Sequence, residues 1–340
     1  MAGRGRGVHS CAHGGGFLAV LAIVAALGGS ASATPERALS FAAASDIGMA
    51  ADASATLRAV GAARPDFFLA LGDLSYAGRR SPSRWCKFVK ARVGPVPVQL
   101  LAGDNEQDMA GNGTIEEFAR CLPDRMRSTG KYGREYYFDY KRLVRFILIS
   151  PDLTIETKHY FYGAGNKNYR WLRQTIRSAR TEGIPWVVVA MHKNCLSVGV
   201  YYCKVYQELL SLLVQERVDL VLHGHDRVYQ RSHQLGRGRG CASVVVDSYN
   251  SNCVSNRGGD GLYQKGAGVV FVGVGTGGSA LYDVNAKDPE AGYFAASMGR
   301  NKQPRKGFLE VSVMRTRLTA SFVGTTRTSS FRDRFVILSS

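Results

Sequence analysis

Five residues able to bind a metal ion stand just beyond short apolar runs: Asp46 in Asp-Ile-Gly, Asp73 in Gly-Asp-Leu-Ser-Tyr, Asp104 in Gly-Asp-Asn-Glu, His192 in Ala-Met-His-Lys and His225 in Gly-His-Asp-Arg. Carboxylate oxygens and imidazole nitrogens are the donors that hard and borderline divalent or trivalent ions take, and strand ends hold such donors rigidly. A single aspartate in such a place is an ordinary turn former or helix cap. Three acids and two histidines repeating the same context point instead to a common cation site. A cation held there would neutralise an approaching anion and acidify bound water, which is what cleavage of a phosphate ester requires.

The elements that must position these residues read as alternating strands and helices. Apolar runs at 39–44, 67–71, 96–102, 186–190 and 218–222 are expected strands, and each leads into one of the five residues. Helices are expected at 53–63, with Leu57 and Val60 on one face, and at 205–217. Another at 169–182 puts Leu172, Ile176 and Ala179 inward and leaves Arg170, Arg173, Arg177 and Arg180 in water. Further strands are expected at 269–274, 308–314, 318–323 and 334–338. Such an order belongs to an α/β sheet flanked by helices, where ligands bind beyond the carboxyl ends of the strands. The glycine-rich run 273–278 follows a strand but lacks the acidic residue of a dinucleotide site, so it reads as backbone closely approaching the same centre.

The motifs and their order resemble the calcineurin-like metallophosphoesterases, whose pattern is D-x-[HG], GD-x-x, GN-H-[ED], a lone His and GH-x-H, over roughly residues 40–231. Gly48 after Asp46, and Tyr76 three residues after Asp73, are most similar to the purple acid phosphatase branch, where the tyrosine is an iron ligand. The resemblance implies a four-layer αββα sandwich and two divalent or trivalent metal ions, iron with zinc, manganese or a second iron. It makes Asp46, Asp73 and Tyr76 ligands of a first ion, Asp73 the bridge, and Asp104, His192 and His225 ligands of a second. The expected chemistry is in-line attack on phosphorus by metal-activated hydroxide, with Asp73 and His192 acting through the metals and Arg227 at the phosphate oxygens.

Three positions depart from the family pattern. Asp104 replaces an asparagine, and Asn105 replaces a histidine that could protonate a leaving oxygen. Arg227 stands at the final histidine of GH-x-H, and arginine does not ligate metals. Pairing His223 with His225 would keep the H-x-H spacing but break register with Tyr229-Gln230-Arg231. In the other register the first ion keeps Asp46, Asp73 and Tyr76, can recruit His223, and is held weakly, while Arg227 is free to grip a substrate phosphate. Glu106 is either a partner that orients a ligand or an exposed charge.

Arg4, Arg6, an apolar run at 17–27 and Ala31-Ser32-Ala33 have the layout of a secretory signal peptide cleaved after Ala33. The run falls short of the roughly 20 residues that span a bilayer. The expected organisation is a leader at 1–33 and one metallophosphoesterase domain at 34–340, secreted to an extracellular or periplasmic space without a transmembrane anchor. Six of the seven cysteines follow Ala33, which favours disulfides, and closeness in sequence pairs Cys86 with Cys121, Cys195 with Cys203 and Cys241 with Cys253. The net charge of +17 attracts anions. A phosphate ester is the expected partner; nucleic acid is less favoured because the basic residues lack interleaved aromatics. Segments 237–239 and 302–306 read as basic surface loops. Beside a secreted phosphate-ester hydrolase of acid phosphatase type stands a second reading, a sandwich that has lost turnover and binds phosphate or polyanions, suggested by Asn105 and Arg227.

Overall fold

Along each central strand the side chains alternate between two apolar layers, and this alternation sets the architecture. In the computed structural model, which describes residues 38–78 and 81–339, Phe41 and Ala43 join one hydrophobic cluster while Ala42 and Ala44 join another. Trp186, Val188 and Ala190 likewise face the first cluster, and Val187 and Val189 the second. A strand buried on both faces is an unbroken apolar run in sequence. The signal peptide expected at 1–33 lies outside the described residues.

The strands of the two large sheets are, in chain order, β1 (Leu39–Ala44), β2 (Phe67–Leu71), β3 (Val98–Leu101), β4 (Thr129–Lys131), β5 (Glu135–Tyr140), β6 (Val144–Ile149), β7 (Trp186–Ala190), β8 (Leu220–His223), β9 (Tyr229–Ser232), β10 (Leu262–Gln264), β11 (Val270–Val274), β12 (Phe294–Met298), β13 (Gly307–Met314), β14 (Arg317–Gly324) and β15 (Arg334–Leu338). One sheet has seven strands in the order β10-β15-β14-β13-β1-β2-β3, the other eight in the order β12-β9-β11-β8-β7-β6-β5-β4. Within the first, β1, β2 and β3 run parallel. Within the second, β6, β7, β8 and β11 run parallel. Each parallel set therefore presents its carboxyl ends along one edge.

The sheets meet through a ring cluster. Phe41 and Phe67 stack with centroids 5.6 Å apart, and Phe146 from the other sheet meets them edge-on at 5.0 and 5.1 Å. Helices cover the outer faces: α1 (Ala51–Ala63), α2 (Ser81–Val93), α3 (Ile115–Cys121), α4 (Lys167–Thr181) and α5 (Gln207–Gln215). Leu57, Val60, Trp85, Val89 and Phe118 of α1–α3, and Leu172, Ile176, Leu209 and Leu213 of α4 and α5, fill the outer layers. Helix, sheet, sheet, helix is the four-layer αββα sandwich.

The expected elements are present with ends moved by a few residues. The expected strand at 96–102 contracts to β3, and the expected strand at 218–222 becomes β8, with His223 as its last residue. Two expectations about charge are corrected. Arg180 does not remain in water: its guanidinium lies 2.8 Å from the buried carboxylate of Asp219, which also accepts the Val187 N–H. Lys306, expected on a surface loop, is only 7% exposed. The three disulfides join Cys86 to Cys121, Cys195 to Cys203 and Cys241 to Cys253. No helix among the described residues is long and apolar enough to cross a membrane.

Because Phe146 touches rings of both sheets, Phe146→Ala should lower unfolding free energy by about 3–5 kcal/mol. Urea unfolding followed by tryptophan fluorescence measures this, and a change below about 1 kcal/mol would mean that the cluster does not join the layers.

Candidate metal centre

The loops after β1, β2 and β3 carry Asp46, Asp73 and Asp104, and the loops after β7 and β8 carry His192 and His225. Acids come from one sheet and imidazoles from the other, and the centre forms where the two edges meet. Donor atoms of Asp104, His192 and His225 lie within 4.8 Å of one another, as do those of Asp46, Asp73 and His192.

His192 links the two groups. Its ring is fully buried, and Nδ1 lies 2.8 Å from the Leu71 carbonyl. Donation of Nδ1–H to that carbonyl leaves the lone pair on Nε2. Nε2 stands 3.0 Å from Asp104 Oδ1 and 3.3 Å from Asp73 Oδ1, yet forms a directed hydrogen bond with neither. Close approach without hydrogen-bond alignment is the geometry of atoms facing a shared cation. The second imidazole fits as well: His225 Nε2 is buried without a partner among the described residues, while Nδ1 lies 3.0 Å from Asp104 Oδ1. Burial alone would lower the His192 pKa, but the charges of Asp73, Asp46 and Asp104 raise it to about 10 when no cation is present. Burial opposes ionisation of Asp104, yet the two imidazoles hold its carboxyl well below the usual range. Asp104 has the most exposed side chain of the five, at 32%, and marks the open side of the centre.

On the Asp46 side, the Tyr76 hydroxyl donates to Asp46 Oδ1 at 2.8 Å and Asp73 Oδ2 at 2.9 Å. Burial and these two carboxylates raise its pKa. The Arg227 guanidinium lies over the rings of Tyr76 and Tyr282, 4.8 and 4.9 Å from their centroids, with Nε 3.6 Å from Asp46 Oδ1. His223 belongs to neither group of converging donors. Its Nδ1 faces the Gly224 carbonyl at 3.4 Å, and burial pushes its pKa down to about 4.

Glu106 and Asn105 fix the loops. Glu106 is buried and accepts the backbone N–H groups of Asp73, Leu74 and Gly103 at 2.9, 2.8 and 3.0 Å. It fixes the backbone that carries Asp73 and is no exposed charge. Asn105 donates its backbone N–H to Asp73 Oδ1 at 3.0 Å and its side-chain amide to Oδ2. The two Gly-Asp loops touch: a Cβ on Gly72 would fall 2.6 Å from Gly103 N, and one on Gly103 would fall 2.3 Å from Asp73 Oδ1. Asp46, Asp73, Tyr76 and His225 all have positive φ, between 51° and 69°. Such backbone costs about 1 kcal/mol or more per residue and persists where surrounding contacts dictate it.

Several contributors carried no signal in the sequence. Ser45 Oγ lies 3.2 Å from His192 Nδ1, and Tyr201 stacks on the His225 ring at 4.2 Å. Asp226, between His225 and Arg227, is buried and accepts the Val200 and Tyr201 N–H groups, which seats that tyrosine. The glycine-rich run approaches as expected: Gly277 N–H donates to the Ser45 carbonyl and Ser279 N–H to that of Asp46, both at 2.9 Å.

A family profile for calcineurin-like phosphoesterases matches residues 39–229, more than half of the chain, and the chain belongs to that family. It is 31% identical over 224 residues to an uncharacterized protein of Mycobacterium tuberculosis, covering 60% of this chain and 42% of that one. It is 24% identical over 286 residues to Fe(3+)-Zn(2+) purple acid phosphatase 12 of Arabidopsis thaliana, covering 78% of this chain and 55% of the relative. In fold it is similar to purple acid phosphatase PPD1 from yellow lupin (Lupinus luteus) seeds, with a TM-score of 0.67 at 17% identity over 89% of this chain and 54% of that one. Within the family the likeness is to the purple acid phosphatase branch. The chain spans about half the length of these curated relatives.

Burial and the Asp73 charge raise the Glu106 carboxyl to about 8 from its ordinary 4.5, against the pull of the Leu74 and Gly103 N–H groups. A carboxyl raised on folding contributes stability that is fully present below about 4.5 and is lost as pH rises through about 8. In metal-free protein, Glu106→Gln should therefore flatten the decline in melting temperature between those two pH values. A decline as steep as in the wild type would remove Glu106 as its source.

Proposed function

We propose that this protein is a metal-dependent hydrolase of phosphate esters, of acid phosphatase type, acting outside the cytoplasm. The observation that carries the reading is the position of His192 Nε2, in a ring fixed from behind by the Leu71 carbonyl and facing the carboxylates of Asp73 and Asp104 without hydrogen-bonding either. Asp73, Asp104, His192 and His225 would hold the ion, and Asp46 and Tyr76 adjoin it. A cation so held supplies charge neutralisation and acidifies water next to the substrate phosphorus.

The other roles fall to the protein. Arg227 presents a half-buried guanidinium to the phosphate oxygens, held in place by the rings of Tyr76 and Tyr282. Asn105 cannot protonate a leaving oxygen and instead anchors Asp73. Export is supported by the three disulfides. Iron and zinc are supported by the name of the Arabidopsis relative. Asn105 also favours the alternative reading, a phosphate-binding protein without turnover, since no acid stands at that position.

The test is hydrolysis of p-nitrophenyl phosphate by the purified protein. Activity should disappear on chelation, return with zinc, manganese or iron, and fall by at least about a hundredfold in His192→Ala. Turnover that survives both treatments would exclude a metal-dependent reaction. Phosphate binding with no turnover under any of the three metals would favour the binder.

A further inference from the structure

The two groups of donors share one imidazole. His192 has a single lone pair at Nε2, so it can serve one ion. Its partners decide which: Asp104 at 3.0 Å, with His225 converging on the same carboxylate, forms one donor set with it, and Asp73 Oδ1, 3.3 Å from Nε2, adds a second carboxylate. What remains on the other side is Asp46, one Asp73 oxygen and the Tyr76 hydroxyl, with no further imidazole among the described residues.

That side already contains a cation. Arg227 Nε lies 3.6 Å from Asp46 Oδ1 and has no hydrogen-bond acceptor among the described residues, and its guanidinium is fixed over two tyrosine rings. Charge balance agrees: the carboxylates of Asp46, Asp73 and Asp104 are matched by one dication and one guanidinium. A second metal ion would leave excess positive charge beside an arginine that cannot lose its proton.

We infer that the centre holds one metal ion, between Asp73, Asp104, His192 and His225, and that Arg227 supplies the second positive charge, so that the pair receiving the phosphate is one metal and one guanidinium. This rests on the metal-dependent reading above and changes its stoichiometry. Asp46 is then the counter-ion of Arg227, and Tyr76 remains a protonated phenol that orients both carboxylates.

The experiment counts bound metal. Wild type, Arg227→His and Asp46→Asn are loaded separately with zinc, manganese or iron, desalted and analysed by mass spectrometry, with circular dichroism as the check on folding. One ion per chain is expected in wild type and in Asp46→Asn, and two in Arg227→His, where the new imidazole joins Asp46, Asp73 and Tyr76. Loaded with iron, wild type should be colourless and Arg227→His should gain the visible band of an iron–phenolate bond. Two ions in wild type, or a coloured wild type, would overturn the inference and leave the metal-dependent reading intact. One ion in folded Arg227→His, or loss of the ion in Asp46→Asn, would also overturn it. No ion in any form would remove both this inference and the reading beneath it.

Discussion

The centre depends on how one buried carboxylate is used. Glu106 gathers three backbone N–H groups, two from the loop after β2 and one from the loop after β3, and so ties the supports of Asp73 and Asp104 to each other. Burial and Asp73 favour the uncharged carboxyl, so each of these bonds contributes roughly 0.5–1.5 kcal/mol. The same loops touch through Gly72 and Gly103, so neither can shift without the other. Two acids from different strands are thereby held as one unit before any ion arrives.

The imidazole half is built by different means. His192 is fixed by a carbonyl of the opposite sheet, that of Leu71, and His225 by an aromatic cover that Asp226 anchors. Positive φ at Asp46, Asp73, Tyr76 and His225 turns their side chains out of the strand direction toward each other. The acids and the phenol come from loops of the first sheet, and the imidazoles and the guanidinium from loops of the second.

The strands that carry the centre were legible because they are buried on both faces and end at turn-forming residues. Leu39–Ala44, Phe67–Leu71 and Trp186–Ala190 coincide with the expected limits. Strand β9 was not legible: Tyr229, Gln230, Arg231 and Ser232 are all buried, and polar burial has no period to read. It is made possible by Asp333, whose carboxylate receives Arg231 at 2.7 and 2.8 Å from 102 residues away. Helix α2 was hidden by its basic composition and by Pro82 in its first turn. At the centre, the five donors could be named from their context. Glu106 was left between two roles because its partners are backbone groups, which no side-chain pattern marks. Lys306 and Asp226 were invisible for a similar reason: each derives its importance from being enclosed, and enclosure is a property of the assembled sheets.

The strand that begins the sandwich is completed by one near its end: β1 pairs with β13, Leu39 opposite Val313. On the ribosome, β1 therefore leaves the exit tunnel long before its antiparallel neighbour exists. Its free edge must wait until β13 has been made, and an unpaired apolar edge is a template for association with other chains. Completion of the first sheet is thus delayed until β13 has emerged. This topology makes yield in the cell a question of chaperone occupancy as much as of thermodynamic stability.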